Sequence, residues 1–292
     1  MINNNNNSKV WIITGCTSGT GLALAEKLIE IGHRVVGTSR DISKFKELAI
    51  SKNDNFFGIQ LDITSEKAVQ EAISEILNKF GRIDVLVNNA GMGFLGSVEE
   101  VTDREHRDLF DVLYFGPLNL IRNILPLFRT QKSGHIFNIS STAGIRSFVR
   151  SGAYSGAKFA LLGMSDSLHD DVKEFGVNVT CIVLGYFHTG FTSNYGGAND
   201  MIPEYDTAKF WKNLMDSIKP LLVPGDVKRF AEIVIETEKS ENPPKELYIG
   251  PDSFSAAEGR IQVMQQHVDQ QKVKNSDVSI KDWDTETQTL NN

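Results

Sequence analysis

The sequence predicts a doubly wound α/β fold, in which a parallel sheet is covered by helices on both faces within one domain. Three observations carry this. Short apolar runs of strand length alternate along the chain with segments whose apolar residues recur at helical spacing. The first of them, Val10 to Ile13, is apolar throughout, as expected of a strand buried on both faces. A glycine-rich turn joins the first run to the first helical segment.

Val10 to Ile13 forms the first apolar run, and Leu22 to Ile31 the first helical pattern, stopped by Gly32. Val35-Val36 opens a second strand, and Phe56 to Leu61 a third. Glu66 to Phe80 reads as an amphipathic helix ending at Gly81, and Ile83 to Val87 as the next strand. A long helix is expected from Asp103 to about Arg129, then a strand at His135 to Ile139. A helix from Gly152 to Glu174 and a strand from Val177 to Val183 follow. The stretch from Tyr186 to Pro220 breaks the rhythm, with a helix expected at Asp206 to Ile218. Such an insertion after a strand's carboxyl end is where an α/β sheet carries its substrate loops. Leu247 to Ile249 reads as a last strand and Ala256 to Gln271 as a polar helix. The expected organisation is a disordered asparagine-rich arm over 1–8 and a catalytic domain over 9–250, with 186–220 as its substrate loop. A helical extension and polar tail over 251–292 complete it, disordered beyond Lys272.

Composition narrows the function. The chain has 292 residues, 40% of them hydrophobic, enough for a sizeable core. Its net charge of -7, without a lysine or arginine block, argues against nucleic acid or an anionic membrane as the main partner. The two cysteines, Cys16 and Cys181, stand in no metal-like spacing and read as buried thiols of a reducing compartment. Met1 is followed by Asn3 to Asn7 rather than by an apolar stretch, and no apolar run is long enough to span a bilayer. The expectation is a soluble cytoplasmic protein with no membrane span. No histidine pair has metal-ligand spacing; His169, beside Asp170 and Asp171, reads as part of a solvated helix face.

The chemistry-bearing residues lie at the strand ends. Gly15, Ser18, Gly19, Thr20 and Gly21 belong to the turn between the first strand and the first helix. Glycine there lets the backbone approach a pyrophosphate, and the helix amino terminus offers unpaired N–H groups. Tyr154 and Lys158 are four residues apart on a helix, so their side chains share one face. A phenol ionises near pH ~10, and a neighbouring ammonium would lower that value. Tyr154 is thus a credible general acid in carbonyl reduction and base in alcohol oxidation.

These motifs resemble those of the short-chain dehydrogenase/reductase family, single-domain Rossmann oxidoreductases. Thr14 to Gly21 matches the family's TGxxxGxG and Asn88-Asn89-Ala90-Gly91 its NNAG. Tyr154 to Lys158 matches YxxxK, with Ser141 at the usual distance before the tyrosine. The resemblance covers about Lys9 to Gly250. It implies that Ser141 holds the substrate oxygen and that Lys158 also binds the nicotinamide ribose. It further implies that Asn89 lies by the cofactor, Asp62 beside the adenine, and Thr189 at the nicotinamide amide. Two positions depart from the family. Leu184 stands where a proline is usual, with Gly185 retained. Leu113, in register with Gly116-Pro117, stands where an asparagine maintains a helix distortion, so a weakened proton relay beyond the lysine is expected.

Ser39-Arg40 at the end of the second strand favours NADP over NAD, because a guanidinium forks onto a 2′-phosphate whereas NAD is met there by a carboxylate. An alternative leaves Arg40 paired with Asp41 at the surface. Aromatic residues in the expected substrate loops, Phe94, Phe148, Tyr186, Phe187, Phe191 and Tyr195, suit an apolar, steroid-, retinoid- or lipid-like carbonyl. Two functions remain open: hydride transfer between NADP(H) and such a carbonyl or alcohol, and an NADP-binding sensor or scaffold with weak or no turnover. The resemblance also implies a homo-oligomer paired through the two long helices.

Overall fold

Continuous β-branched and aromatic runs make the central strands of this protein, whose structure is a computed structural model. It describes residues 8–187, 189, 195–218, 224–276, 283–284 and 289–290. In chain order the elements are β1 (Val10–Thr14), α1 (Gly19–Glu30), β2 (Arg34–Ser39), β3 (Phe56–Gln60), α2 (Glu66–Phe80) and β4 (Val85–Asn88). The two-residue β5 (Phe94–Leu95) precedes α3 (Asp103–Phe110), α4 (Gly116–Gln131), β6 (Gly134–Ile139), α5 (Gly152–Val172) and β7 (Val177–Leu184). Then come the two-residue β8 (Gly196–Gly197), α6 (Thr207–Ile218), α7 (Val227–Glu238), β9 (Glu246–Ile249) and α8 (Pro251–Asn275).

Seven strands form one parallel sheet in the order β3-β2-β1-β4-β6-β7-β9. Side chains alternate along each strand, so two cores form. Trp11, Ile13, Val35, Val87 and Phe137 face α1 and α7, which contribute Leu24, Leu28, Phe230 and Val234. Ile12, Val36, Leu86 and Ile136 face the other layer, meeting Val69 and Ile73 of α2 and Leu120, Ile124 and Phe128 of α4. Strand order reverses between β1 and β4, and the crevice outside their carboxyl ends is where such a sheet binds ligands. Both cysteines are buried in the folded chain.

Local signals explain the helix ends. Ser65 caps α2 by accepting from the Ala68 amide, and Gly81 ends it in the left-handed region at φ 74°. Thr102 and Glu105 make a reciprocal capping box at α3. The helix expected from Asp103 to Arg129 is interrupted: residues Asp111–Phe115 form a π-helical turn, with the Gly116 amide reaching back five residues to Asp111 O. Pro117 has no N–H to offer the Leu113 carbonyl four residues earlier, which opens the ladder at that point.

Several expectations need correction. His169 is half-buried, its Nδ1 donating to the Val179 carbonyl at 2.9 Å, while Asp170 and Asp171 beside it are exposed. Helix α7 and the 3-10 turns at Ile42–Glu47 and Ala49–Lys52 were not anticipated. Beyond Lys272 the tail is not wholly irregular: α8 continues to Asn275, and Trp283 and Asp284 pair antiparallel with Leu290 and Thr289. Residues 1–7 of the expected arm lie outside the described residues, as do 188, 190–194 and 219–223 around the expected substrate loop. Among the described residues no helix is long and apolar enough to cross a membrane, and no cluster of three or more metal-ligating side chains occurs.

Candidate active site

Two adjoining cavities open at the carboxyl ends of the strands. The first, of about 540 Å³, lies over Gly15, Ser18, Gly19 and Thr20 and runs past Arg40 and Asp62. The second, of about 780 Å³, holds Ser141, Tyr154 and Lys158; Thr20, Asn89, Gly91 and Thr189 line both. The sequence-identified site residues therefore converge on one continuous crevice, with Gly21 packed beneath it.

The glycine turn is a close-fitting cradle. A Cβ on Gly15 would stand 2.9 Å from Ala90 Cα, and one on Gly21 2.7 Å from the Gly15 carbonyl oxygen. Gly19 has φ 58°, a left-handed conformation suited to glycine. Helix α1 has no side-chain cap at Ser18, so its amino terminus meets the first cavity as a donor array. This arrangement fits a dinucleotide pyrophosphate. Asn89 braces the cradle from behind: its Nδ2 donates to Thr14 O at 2.8 Å and Gly15 O at 3.1 Å, and its Oδ1 accepts from Thr20 Oγ1 at 2.9 Å. Thr14 Oγ1 in turn accepts the Asn89 and Ala90 amides, both at 2.9 Å.

At the far end of this cavity Arg40 is exposed and forms no ion pair among the described residues. The neighbouring Asp41 is occupied by the amide and hydroxyl of Ser43, which hold its carboxyl below the usual range. The alternative pairing of Arg40 with Asp41 is thus absent. Lys44 joins Arg40 on the same wall, a second cation that sequence spacing did not single out. Asp62 Oδ1 accepts from the amide and hydroxyl of Thr64, at 3.0 and 2.8 Å, and lines the wall between β3 and α2.

In the second cavity Ser141 follows β6 and accepts the Ala143 amide at 3.1 Å. Its side chain also hydrogen-bonds Tyr154. Tyr154 and Lys158 are both buried on one face of α5. Lys158 Nζ donates to the Ile139 carbonyl at 2.7 Å and lies 5.9 Å from the centre of the Tyr154 ring. The expected lowering of the phenol by the ammonium does not occur in this arrangement. Burial first, and then the Tyr195 hydroxyl, push Tyr154 above its ordinary value, with only the Ser141 hydrogen bond opposing them. Burial likewise lowers the Lys158 ammonium to about 8, the nearby Cys181 thiol acting in the other direction.

The π-helical turn places Leu113 in this neighbourhood. A Cβ on Gly91 would stand 3.3 Å from Leu113 Cδ2 and 3.9 Å from Lys158 Nζ. The helix distortion that the family resemblance ties to asparagine is therefore present with leucine. Asn119 is directed elsewhere, donating to Ile63 O at 3.1 Å.

The walls of the second cavity are largely apolar, with Phe148, Tyr186, Phe187 and Tyr195 among them. Phe94 is not on this wall; it is buried in the β5 ladder against Gly196, and Phe191 lies outside the described residues. Trp211, Leu214 and Met215 of α6 supply lining that the sequence left unassigned. Buried Glu100 secures α6: Oε2 accepts from Thr207 Oγ1 at 2.6 Å and the Ser97 amide at 2.8 Å, and Oε1 from the Ile202 amide at 3.1 Å. Although burial opposes ionisation, these bonds hold its carboxyl below the usual range.

Comparison with known proteins agrees with the geometry. Residues 9–200 match the family model described as short chain dehydrogenase. A 3-ketodihydrosphingosine reductase of Bacteroides thetaiotaomicron is 37% identical over 190 residues, which span 64% of this chain and 66% of that protein. The crystal structure of a short-chain dehydrogenase from Streptomyces avermitilis superposes with a TM-score of 0.85 at 31% identity, covering 94% of this chain and all of that one. ElxO, solved with NADP bound, gives a TM-score of 0.73 at 27% identity over 85% of this chain and 99% of its own. With its parallel sheet, glycine cradle and paired cavities, the chain belongs to the short-chain dehydrogenase/reductase family of oxidoreductases.

Proposed function

We propose that this protein transfers a hydride between NADP(H) and an apolar carbonyl or alcohol. The observation that carries the reading is the Ser141–Tyr154–Lys158 cluster at the junction of a glycine-floored cavity and a largely apolar one. A nicotinamide cofactor bound in the first cavity would supply or accept the hydride. The chain's own groups handle the proton and the oxygen. Tyr154, kept neutral by burial, holds the proton that a reduced carbonyl oxygen requires, and Ser141 donates a hydrogen bond to that oxygen. The Lys158 ammonium lends positive charge to the site and would hold a ribose hydroxyl of the bound cofactor.

Arg40 and Lys44, with Ser39 in place of a carboxylate, support NADP. NADPH is expected to bind more tightly than NADH, and Arg40→Ala to narrow the gap by roughly 1.5–3 kcal/mol, the size of a charge-assisted contact. Titrating both nucleotides into wild type and variant checks this; equal wild-type affinities would remove the assignment. The aromatic lining and the similarity to a 3-ketodihydrosphingosine reductase support a long or ring-bearing lipid carbonyl. Following NADPH oxidation over a panel of apolar ketones, aldehydes and quinones tests the activity. Tight nucleotide binding without turnover on any of them would favour the sensor reading instead.

The persistence of the π-helical turn changes what Leu113 implies. Pro117 already leaves the Leu113 carbonyl without its helical donor, so an asparagine side chain is not needed to open the helix there. Leu113→Asn is therefore expected to leave turnover unchanged while lowering stability by about 1–3 kcal/mol, because the amide enters a buried apolar position. Turnover and thermal unfolding measured on the same variant check both halves; a higher turnover would mean that the side chain itself limits the proton route.

A further inference from the structure

The carboxylate of Asp252 joins the start of α8 to the residues that directly follow β7. Its Oδ2 accepts the Tyr186 amide at 2.7 Å, across 66 residues of sequence. Its Oδ1 is buried with no hydrogen-bond partner. Two glycines make room for it: a Cβ on Gly185 would fall 2.0 Å from Oδ1, and one on Gly250 2.9 Å from it. Gly185 is tied to the same place through its own amide, which donates to Ile249 O at 2.9 Å.

A carboxylate oxygen buried without a donor is unfavourable, so its retention calls for a compensating gain. Part of the compensation is electrostatic. Asp252 sits in the first turn of α8, where the N-cap is Gly250 and no side chain caps the helix. The rest lies in what the bond holds. Leu184, Gly185, Tyr186 and Thr189 line the second cavity, and Thr189 reaches the cofactor cavity, where its Cβ comes within 3.4 Å of a Cβ position on Gly19. Leu184 itself lacks the fixed backbone angle that a proline would impose at this turn.

We infer that Asp252 is a positioning residue: by holding the Tyr186 amide it fixes Gly185 to Phe187 against the substrate cavity and, through them, sets Thr189 where the two cavities meet. This rests on the proposed nucleotide-dependent activity for its functional readout but not for its structural one. With Asp252 in place, Gly185 and Tyr186 are held before the nucleotide arrives, which lowers the ordering cost of binding. Because Pro251, Asp252, Ser255 and Ala256 also line the substrate cavity, the same contact sets one wall of that cavity.

Asp252→Ala and Asp252→Asn separate this role from plain support of α8. Hydrogen exchange at the Tyr186 amide should accelerate in the alanine variant and stay slow in the asparagine variant, whose carbonyl oxygen still accepts. NADPH affinity of the folded protein should fall about tenfold in Asp252→Ala, the equivalent of one lost hydrogen bond to a charged group, and be largely restored in Asp252→Asn. The apparent KM of a turned-over ketone should rise with it, more than kcat falls. A slow Tyr186 amide in Asp252→Ala would overturn the proposal. So would an unlatched amide with unchanged nucleotide affinity, or a lowered melting temperature as the sole change. Failure of wild type to bind either nucleotide would instead count against the cofactor reading and leave the exchange result to judge Asp252.

Discussion

Tyr154→Phe is expected to lower turnover by about 10²–10⁴-fold, the range for removing a general acid–base group, while nucleotide affinity stays near wild type. The phenol is the proton donor best placed for the second cavity, hydrogen-bonded to Ser141 and held neutral by burial. Phenylalanine keeps the ring packing among Leu109, Leu113, Ala153 and Ala157, so folding should be unaffected. Steady-state kinetics with NADPH and the best ketone of the panel, set beside nucleotide titration of the same preparation, gives the comparison. An unchanged rate would move the chemistry to another residue.

Lys158→Met is expected to impair two measurements together. Turnover should fall because the site loses its positive charge and the bound cofactor its ammonium partner. Nucleotide affinity should weaken by about tenfold to a hundredfold, the size of a lost charge-assisted hydrogen bond. The pH dependence is a sharper signature. Burial disfavours the charge of Lys158 and lowers its ammonium to about 8 in the folded protein. Wild-type nucleotide affinity should therefore decline as pH rises through about 8, and the methionine variant should lack that inflection. Stability runs the other way. Between about 8 and the ordinary lysine value near 10.5 the unfolded chain binds the proton more readily than the native one, so this group makes stability rise with pH across that window. Thermal unfolding at several pH values should find that rise in wild type and not in Lys158→Met. An unaltered pH profile would show that another group controls it.

Much of the sheet was legible because β1 and β4 are almost wholly apolar, a pattern that few other arrangements produce, although β7 carries Asn178 and Thr180. The glycine cradle was legible because close backbone approach leaves glycine as the residue that fits. Helix α7 carried its signal in Phe230, Ala231, Val234 and Ile235, but a stretch of irregular sequence precedes it. The π-helical turn depends on Pro117 withholding one amide, a detail that periodicity averages away. Spacing put Tyr154 and Lys158 on one face without revealing that the ammonium turns to Ile139 O. Lys44, Trp211 and Asp252 reach the cavities through tertiary folding from segments far apart in sequence, and no local motif marks them.

The burial of both cysteines has a practical meaning for a protein that handles carbonyl compounds. Enals and quinones alkylate thiolates, and burial pushes Cys16 and Cys181 each up to about 12. At neutral pH the folded enzyme offers such electrophiles almost no thiolate and no accessible sulfur. It should process reactive substrates without titrating itself, and it should remain unmodified by maleimide until it unfolds. The wild-type chain is consequently a silent background for attaching a label through one introduced surface cysteine.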